Sequence, residues 1–289
     1  GAVLVTCRFC GRFLPTTDMN AHESLTLTSE HPGFADPHYR RRREWIASLA
    51  RAHRRGDPIP LVAYEAAEHA VWRRVWLELE PRHARWVARP LQQVLATFPL
   101  DRSAIPQLGE ISRELSNRTG FRMTPVAGLV PPRRFLERLA DGEFLSTQYV
   151  RHPSRPLYTP EPDIVHELVG HAATLADHRL AAINRLFGEA ARHADEPGLR
   201  RLERVYWFTL EFGVCREGEA VRAVGAGLLS SAGELDRLER LPLRPWNLEV
   251  IAATAYDTTD YQPWLFVAPS YDEMLVDLET WLARACRAS

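Results

Sequence analysis

Apolar residues recur at three- and four-residue intervals along most of this chain, the signature of helices with one buried face. Asp36 followed by Pro37 supplies an N-cap and a first-turn proline. Trp45, Ile46, Leu49 and Ala50 continue an apolar stripe, and Gly56 is placed to close that helix. The four arginines at 40–43 read as its solvated face. A second helix from about Tyr64 carries Val71, Trp72, Val75, Trp76 and Leu79, with both tryptophans in the core, and is expected to stop before Pro81. Further helices are predicted at 84–97, 107–118, 132–140, 164–176, 179–194, 199–213 and 272–285. Short runs rich in β-branched and aromatic residues predict strands at Thr147–Arg151, Ala220–Val224 and Leu265–Ala268. The fold class is mainly α with a few short β-strands. No internal repeat or low-complexity linker divides the chain, so 31–289 is read as one domain behind a leader at 1–30.

Composition narrows this little. A chain of 289 residues that is 45% apolar can build one large core. A net charge of -1 without a basic face gives no reason to expect a nucleic-acid or membrane partner. No apolar run approaches the roughly 20 residues that span a bilayer. Every basic side chain apart from histidine is arginine, which reads as the codon bias of a GC-rich, bacterial genome. Four cysteines, with Cys215 and Cys286 isolated, argue against a disulfide-built secreted protein and fit a reducing cytoplasm. Cys7 and Cys10 form a C-x-x-C that could join His22 or His31 around zinc, but the spacing matches no common finger, and an exposed leader is the simpler reading.

Candidate chemistry concentrates in Tyr158–His171, YTPEPDIVHELVGH, and Val205–Val214, VYWFTLEFGV. His166 and His171 lie five residues apart, a spacing that turns roughly 140° on an ideal α-helix and points the two rings apart. The His-Glu-x-x-His zinc pattern is therefore not met. One ion could take both histidines only if the backbone bends or the helix ends near Gly170. Glu211 sits in an otherwise almost wholly apolar run, and a buried carboxylate needs a cation or a proton. Two histidines and a carboxylate would supply a site with open positions, suited to non-haem Fe(II) and acceptable to zinc. Taken separately, the histidine string reads as an amphipathic helix surface and Glu211 as a partner of an arginine. Arg151, ahead of a proline-rich loop, could hold a substrate carboxylate, although a lone arginine is more often a surface ion-pair former.

Longer strings carry a resemblance. PEPDIVHELVGH at 160–171, VYWFTLEFGVC at 205–215, AVGAGLLSSAGEL at 223–235, HPGFADPHYRRRR at 31–43, TGFRMTPVAGLVPPRRFLERLA at 119–140 and STQYVRHPSRPLYT at 146–159 together resemble the pterin-dependent aromatic amino acid hydroxylases. The resemblance runs from about residue 30 to the C-terminus. It implies Fe(II) held by His166, His171 and Glu211, a tetrahydropterin of the tetrahydrobiopterin type, O2 and an aromatic amino acid substrate.

The same resemblance assigns the remaining positions. Arg151 would bind the amino acid carboxylate and Asp163 would orient it. Phe135, a core residue by spacing alone, becomes the ring on which the pterin stacks, with Gly128, Leu129 and Val130 reading its edge. Glu167 becomes the pterin-facing carboxylate, and Tyr206 lies near iron and pterin. Trp207 would wall the aromatic pocket with Pro162 and Phe212 nearby, and Thr159 lies at the amino acid end. Ser230, otherwise an ordinary turn hydroxyl, would orient His166. Leu145 stands where several members have a pterin-contacting histidine, and Pro132 replaces a small polar residue. Members acting on tryptophan tend to have Phe at the position of Trp207. Thr258 falls where phenylalanine enzymes carry Val and tyrosine enzymes Asp. Both favour phenylalanine, with tyrosine hydroxylation or meta-hydroxylation as alternatives. A zinc hydrolase with Glu167 as base and a non-catalytic binding domain are the remote ones. The expected state is a monomer or weak dimer, since the chain ends soon after an amphipathic helix.

Overall fold

The structure, a computed structural model, describes residues 27–258 and 260–287, together with the backbone of two earlier strands, β1 (Val3–Thr6) and β2 (Phe13–Thr16), which pair antiparallel. Cys7, Cys10 and His22 lie outside the described residues. His31 is described and is committed elsewhere. Its Nδ1 accepts the Gly33 N–H, which leaves Nε2 to donate toward Glu161 at 3.3 Å.

Helix α1 (Pro37–Ala52) begins as its sequence demands, with the Asp36 carboxylate accepting from the N–H groups of His38 and Tyr39. It stops at Ala52, short of Gly56, which takes a positive φ of 95° in the turn beyond. The arginine run is not wholly solvated. The buried face is Arg43, Ile46, Ala47 and Ala50, whereas Trp45 is exposed with the Arg42 guanidinium over its ring. Arg43 lies inside because Glu161 pairs with it and the Tyr149 ring covers it. Helix α2 (Ala66–Trp86) runs through Pro81 instead of stopping before it. Proline removes the bond to the carbonyl of Leu77, but Leu77 and Pro81 are both exposed, so water can serve that carbonyl. The predicted helix at 84–97 is divided at Val87 and Ala88, where the Ala88 N–H is drawn to the carbonyl of Ala223, and α3 (Arg89–Thr97) follows.

After α4 (Leu108–Thr119), closed by left-handed Gly120, the chain forms an unforeseen parallel pair, β3 (Arg122–Pro125) and β4 (Glu143–Ser146), joined across α5 (Pro132–Ala140). The strand expected at Thr147–Arg151 is buried chain directly beyond β4 and pairs with no strand among the described residues. A helix then widens into a π segment (His166–Ala172) and tightens again as α6 (Ala173–Leu175). Helix α7 (His178–His193) packs on α5, and α8 (Glu196–Tyr206) passes into a second π segment (Trp207–Glu211). The chain closes with β5 (Val214–Glu217), β6 (Ala220–Ala223), α9 (Ala226–Leu229), α10 (Ala232–Arg237), β7 (Leu243–Pro245), α11 (Leu248–Ala253), β8 (Leu265–Ala268) and α12 (Tyr271–Ala285). The last sheet has the order β6-β5-β8-β7, and its β6 and β8 lie where the sequence pattern puts them. Apolar residues from Val71 to Leu282 form one contiguous core. Among the described residues no helix is long and apolar enough to cross a membrane. Cys215 and Cys286 are unpaired thiols, and burial pushes that of Cys215 up to about 12.

The contact between α5 and α7 depends on the absence of one side chain. A Cβ at Gly188 would lie 2.1 Å from the backbone nitrogen of Ala140 and 2.7 Å from its Cα. Backbone cannot step aside as a flexible side chain can, so Gly188→Ala is expected to lower unfolding free energy by about 1–3 kcal/mol, measured by urea denaturation.

Candidate metal centre

The five-residue histidine spacing is resolved by the helix itself. Where hydrogen bonds run from i to i+5, residues five apart share a face. The helix does not end at Gly170. His166 and His171 lie on the π segment with their Nε2 atoms 3.0 Å apart. Gly170 has a different task, because a Cβ there would meet the carbonyl oxygen of Ala226 at 2.6 Å. Its bareness lets α9 close on the histidine helix. Glu211 ends the second π segment, in which the Phe212 N–H reaches the carbonyl of Trp207, again five residues back. The Thr209 hydroxyl donates to the carbonyl of Val205, and that of Thr174 to the carbonyl of His171, serving backbone oxygens beside the two irregular turns.

Glu211 is 2% exposed, with one carboxylate oxygen 3.1 Å from Nε2 of His171 and the other 3.6 Å from Nε2 of His166. The three ligating atoms lie within 4.8 Å of one another. Ser230 sets the tautomer of His166. Its hydroxyl donates to the carbonyl of Ala226 at 2.8 Å and therefore accepts from Nδ1–H at 2.9 Å, which leaves the Nε2 lone pair facing the centre. Buried imidazole and carboxylate donors that converge suit a divalent first-row metal, and three protein ligands leave positions open.

The other sequence-predicted residues fall into two groups around this centre. A cavity on one side is lined by Arg151, Thr159, His166, Trp207, Phe212, Ser230 and Thr258 among others. Arg151 is buried, and Asp163 behind it accepts from its Nε and Nη2 at 2.9 and 2.8 Å and from its backbone N–H at 2.8 Å. Asp163 and Pro162 do not line the cavity. Asp163 also accepts the His166 N–H, and the Pro162 carbonyl accepts from Thr147. One aspartate thus ties the arginine to the start of the histidine helix. Trp207 stacks on Tyr256 at 4.6 Å and donates through Nε1 to Gln262 at 3.1 Å, so the aromatic wall is fixed on two sides. Thr159 donates its hydroxyl to the carbonyl of Glu161.

The residues expected to meet a pterin do not line that cavity. Gly128 is buried and Leu129 and Val130 are half-buried in the loop before α5. The Phe135 ring meets those of Phe144 and Tyr206 edge-on at 5.3 and 5.7 Å, and Phe144 in turn lies 4.5 Å from His171. Glu167 is buried on the π segment, near the Thr147 hydroxyl at 3.5 Å. Leu145 is buried on β4, and Pro132 opens α5. Phe144, Tyr256, Gln262 and the cavity residue Glu234 were not anticipated. Phe144 is one apolar residue in a short strand, and Gln262 lies in a loop without pattern. Only Glu234 carries a local signal, in its spacing from Ser231.

A family model described as biopterin-dependent aromatic amino acid hydroxylase matches residues 16–288. Over 230 residues the chain is 49% identical to a chloroplastic phenylalanine 4-monooxygenase of Chlamydomonas reinhardtii, covering 76% of this chain and 63% of that protein. It is 43% identical to human phenylalanine-4-hydroxylase over 255 residues, covering 86% and 56%. It is 40% identical to rat tyrosine 3-monooxygenase over 270 residues, covering 90% and 54%. The chain thus spans somewhat over half the length of these curated relatives. Among solved structures, phenylalanine hydroxylase of Chromobacterium violaceum with bound iron(III) and 7,8-dihydrobiopterin superposes with a TM-score of 0.70 at 28% identity, covering 77% of this chain and 84% of that one.

Because two imidazoles and one carboxylate converge here, Glu211→Ala is expected to weaken metal retention by at least the roughly 10–100-fold that even outer partners of a metal site command. Metal content after dialysis checks this, and an unchanged far-UV circular dichroism spectrum separates ligand loss from unfolding.

Proposed function

Because this chain belongs to the biopterin-dependent aromatic amino acid hydroxylases, we propose that it is a monooxygenase that hydroxylates the ring of L-phenylalanine with Fe(II), a tetrahydropterin and O2. The observation that carries the reading is the adjacency of the three-ligand centre to a cavity with an aromatic wall and a buried, braced arginine. His166, His171 and Glu211 hold the iron. Iron and reduced pterin, when bound, supply the two-electron activation of O2 that no protein side chain provides.

The chain's own residues do the placing. Arg151 receives the substrate carboxylate, and because Asp163 occupies its Nε and Nη2 edge, the guanidinium is held in one orientation before the substrate arrives. Trp207, locked by Tyr256 and Gln262, bears on the substrate ring together with Phe212 and fixes which carbon faces the metal. Thr159 lies at the amino acid end. Phe135 would take the pterin on its ring and Gly128, Leu129 and Val130 would read the pterin edge, with Glu167 as the pterin-facing carboxylate and Tyr206 near iron and pterin. Ser230 keeps Nε2 of His166 directed at the iron. An uncharged Thr258 on the cavity wall supports phenylalanine over tyrosine.

Incubation with Fe(II), tetrahydropterin and O2, offering phenylalanine, tyrosine and tryptophan separately, is expected to yield para-hydroxylated phenylalanine as the main product by mass and retention time. A meta-hydroxylated product keeps the chemistry and revises the placement. No product from any of the three, with iron bound, refutes the reading. Arg151→Lys loses the two-edged bracing and is expected to raise KM for phenylalanine by about 10-fold or more while the metal content holds.

A further inference from the structure

One acid of the cavity has no task in the reading above. Glu234 lines the cavity and is 4% exposed. It stands three residues after Ser231, the spacing of a capping box, in which the glutamate would fold back onto its own N-cap. Only half of that arrangement forms. Ser231 accepts the Glu234 N–H at 3.3 Å, but the Glu234 carboxylate reaches to the neighbouring loop and accepts the Gln262 N–H through Oε1 at 2.9 Å. Oε2, fully buried, has no hydrogen-bond partner among the described residues.

The other carboxylates of the cavity wall are placed differently. Glu161 places both oxygens on Arg43, with His31 beside it. Asp260 is exposed and accepts the Tyr261 N–H. Ser230 accepts from His166, and Thr159 accepts weakly from the Glu161 N–H. An amino acid that lays its carboxylate on Arg151 brings an α-ammonium into the same cavity, and a buried cation requires an acceptor.

We propose that Glu234, a carboxylate of the cavity wall with one oxygen unpartnered, receives the α-ammonium of the substrate, and so separates aromatic amino acids from aromatic acids that lack the amine. The proposal rests on the reading of the cavity as an amino acid pocket. Glu234 also braces the aromatic wall, through Gln262 to Trp207. Its surroundings leave the charge to be met by a ligand. Burial pushes the carboxyl up to about 7, opposed by the Gln262 N–H and by Arg237 and reinforced by Asp260. Arg237, on the same helix, lies over the Tyr261 ring. From α2, Arg82 is held by Asp236 and Glu78, and His83 by the carbonyl of Leu229.

The test is calorimetric titration of the iron-loaded protein, without O2 or pterin, by L-phenylalanine and by 3-phenylpropanoate. Glu234→Gln keeps an oxygen for the Gln262 N–H and removes the charge. Wild type is expected to prefer phenylalanine by roughly 10- to 100-fold, the scale of one charge-assisted hydrogen bond, and the variant to lose most of that preference through weaker phenylalanine binding alone. Equal weakening of both ligands, or a preference fully retained, overturns the proposal. Should the variant not fold, wild type decides. Its affinity for phenylalanine should rise as pH increases through about 7, where Glu234 ionises, and that for 3-phenylpropanoate should not. Parallel profiles overturn the proposal. Wild-type protein that binds neither compound overturns the amino acid reading, and this proposal with it.

Discussion

The buried carboxylate of Glu211 and the Nε2 atoms of His166 and His171 converge on one point, and such a meeting holds only if the backbone behind each group is rigid. Much of the surrounding structure can be understood as that rigidity. Both contributing helices carry a π segment at the ligands, and the glycines nearby permit backbone contact that no other residue would allow. A Cβ at Gly225 would lie 2.3 Å from the carbonyl oxygen of Glu211, and one at Gly227 2.9 Å from the same atom. The second ligand helix is therefore clamped against the turn that carries Ser230, and Ser230 in turn clamps His166. Metal ligation and packing are one problem here, since a shift of either helix moves a ligand.

A second set of buried charges lies just outside the first. Asp163 ties Arg151 to the N-terminal end of the histidine helix, and Glu161, two residues earlier, is tied by Arg43 to α1. The loop between Pro156 and Asp163 is thereby fixed by two ion pairs that share no partner. Removing one member of such a pair leaves the other charge buried, which costs more than the pair itself contributes. A loop bound in this way can present Thr159 and the arginine without depending on the ligand to order it.

The long helices were legible because amphipathic spacing and caps are local, as at Asp36 and in the stripe of α2. So were the site residues that sit in strings distinctive enough to carry a family resemblance. What could not be read locally was decided by distant partners. Arg43 looked solvated until Glu161 was placed beside it. Thr147–Arg151 looked like a strand, but the pairing partner, β3, lies beside the residues just before it. The π turns were implicit in the five-residue histidine spacing, yet that spacing reads equally as a bend or a helix end until Ala226 is known to press on Gly170. Gln262 has no signal of its own, since its role exists only once Trp207 and Glu234 arrive on either side.

A π segment is in effect an α-helix that has accepted one additional residue, and this gives the centre an uneven tolerance of genetic change. Replacing Leu168 or Val169 by another apolar residue leaves the interval between the histidines intact. Losing a single codon between them would restore ordinary helical winding with an interval of four, which also brings side chains to one face. The two rings would still face together, but turned relative to Glu211 and Ser230, which are anchored elsewhere. Length, more than the identity of the intervening residues, is what this stretch of the gene has to preserve.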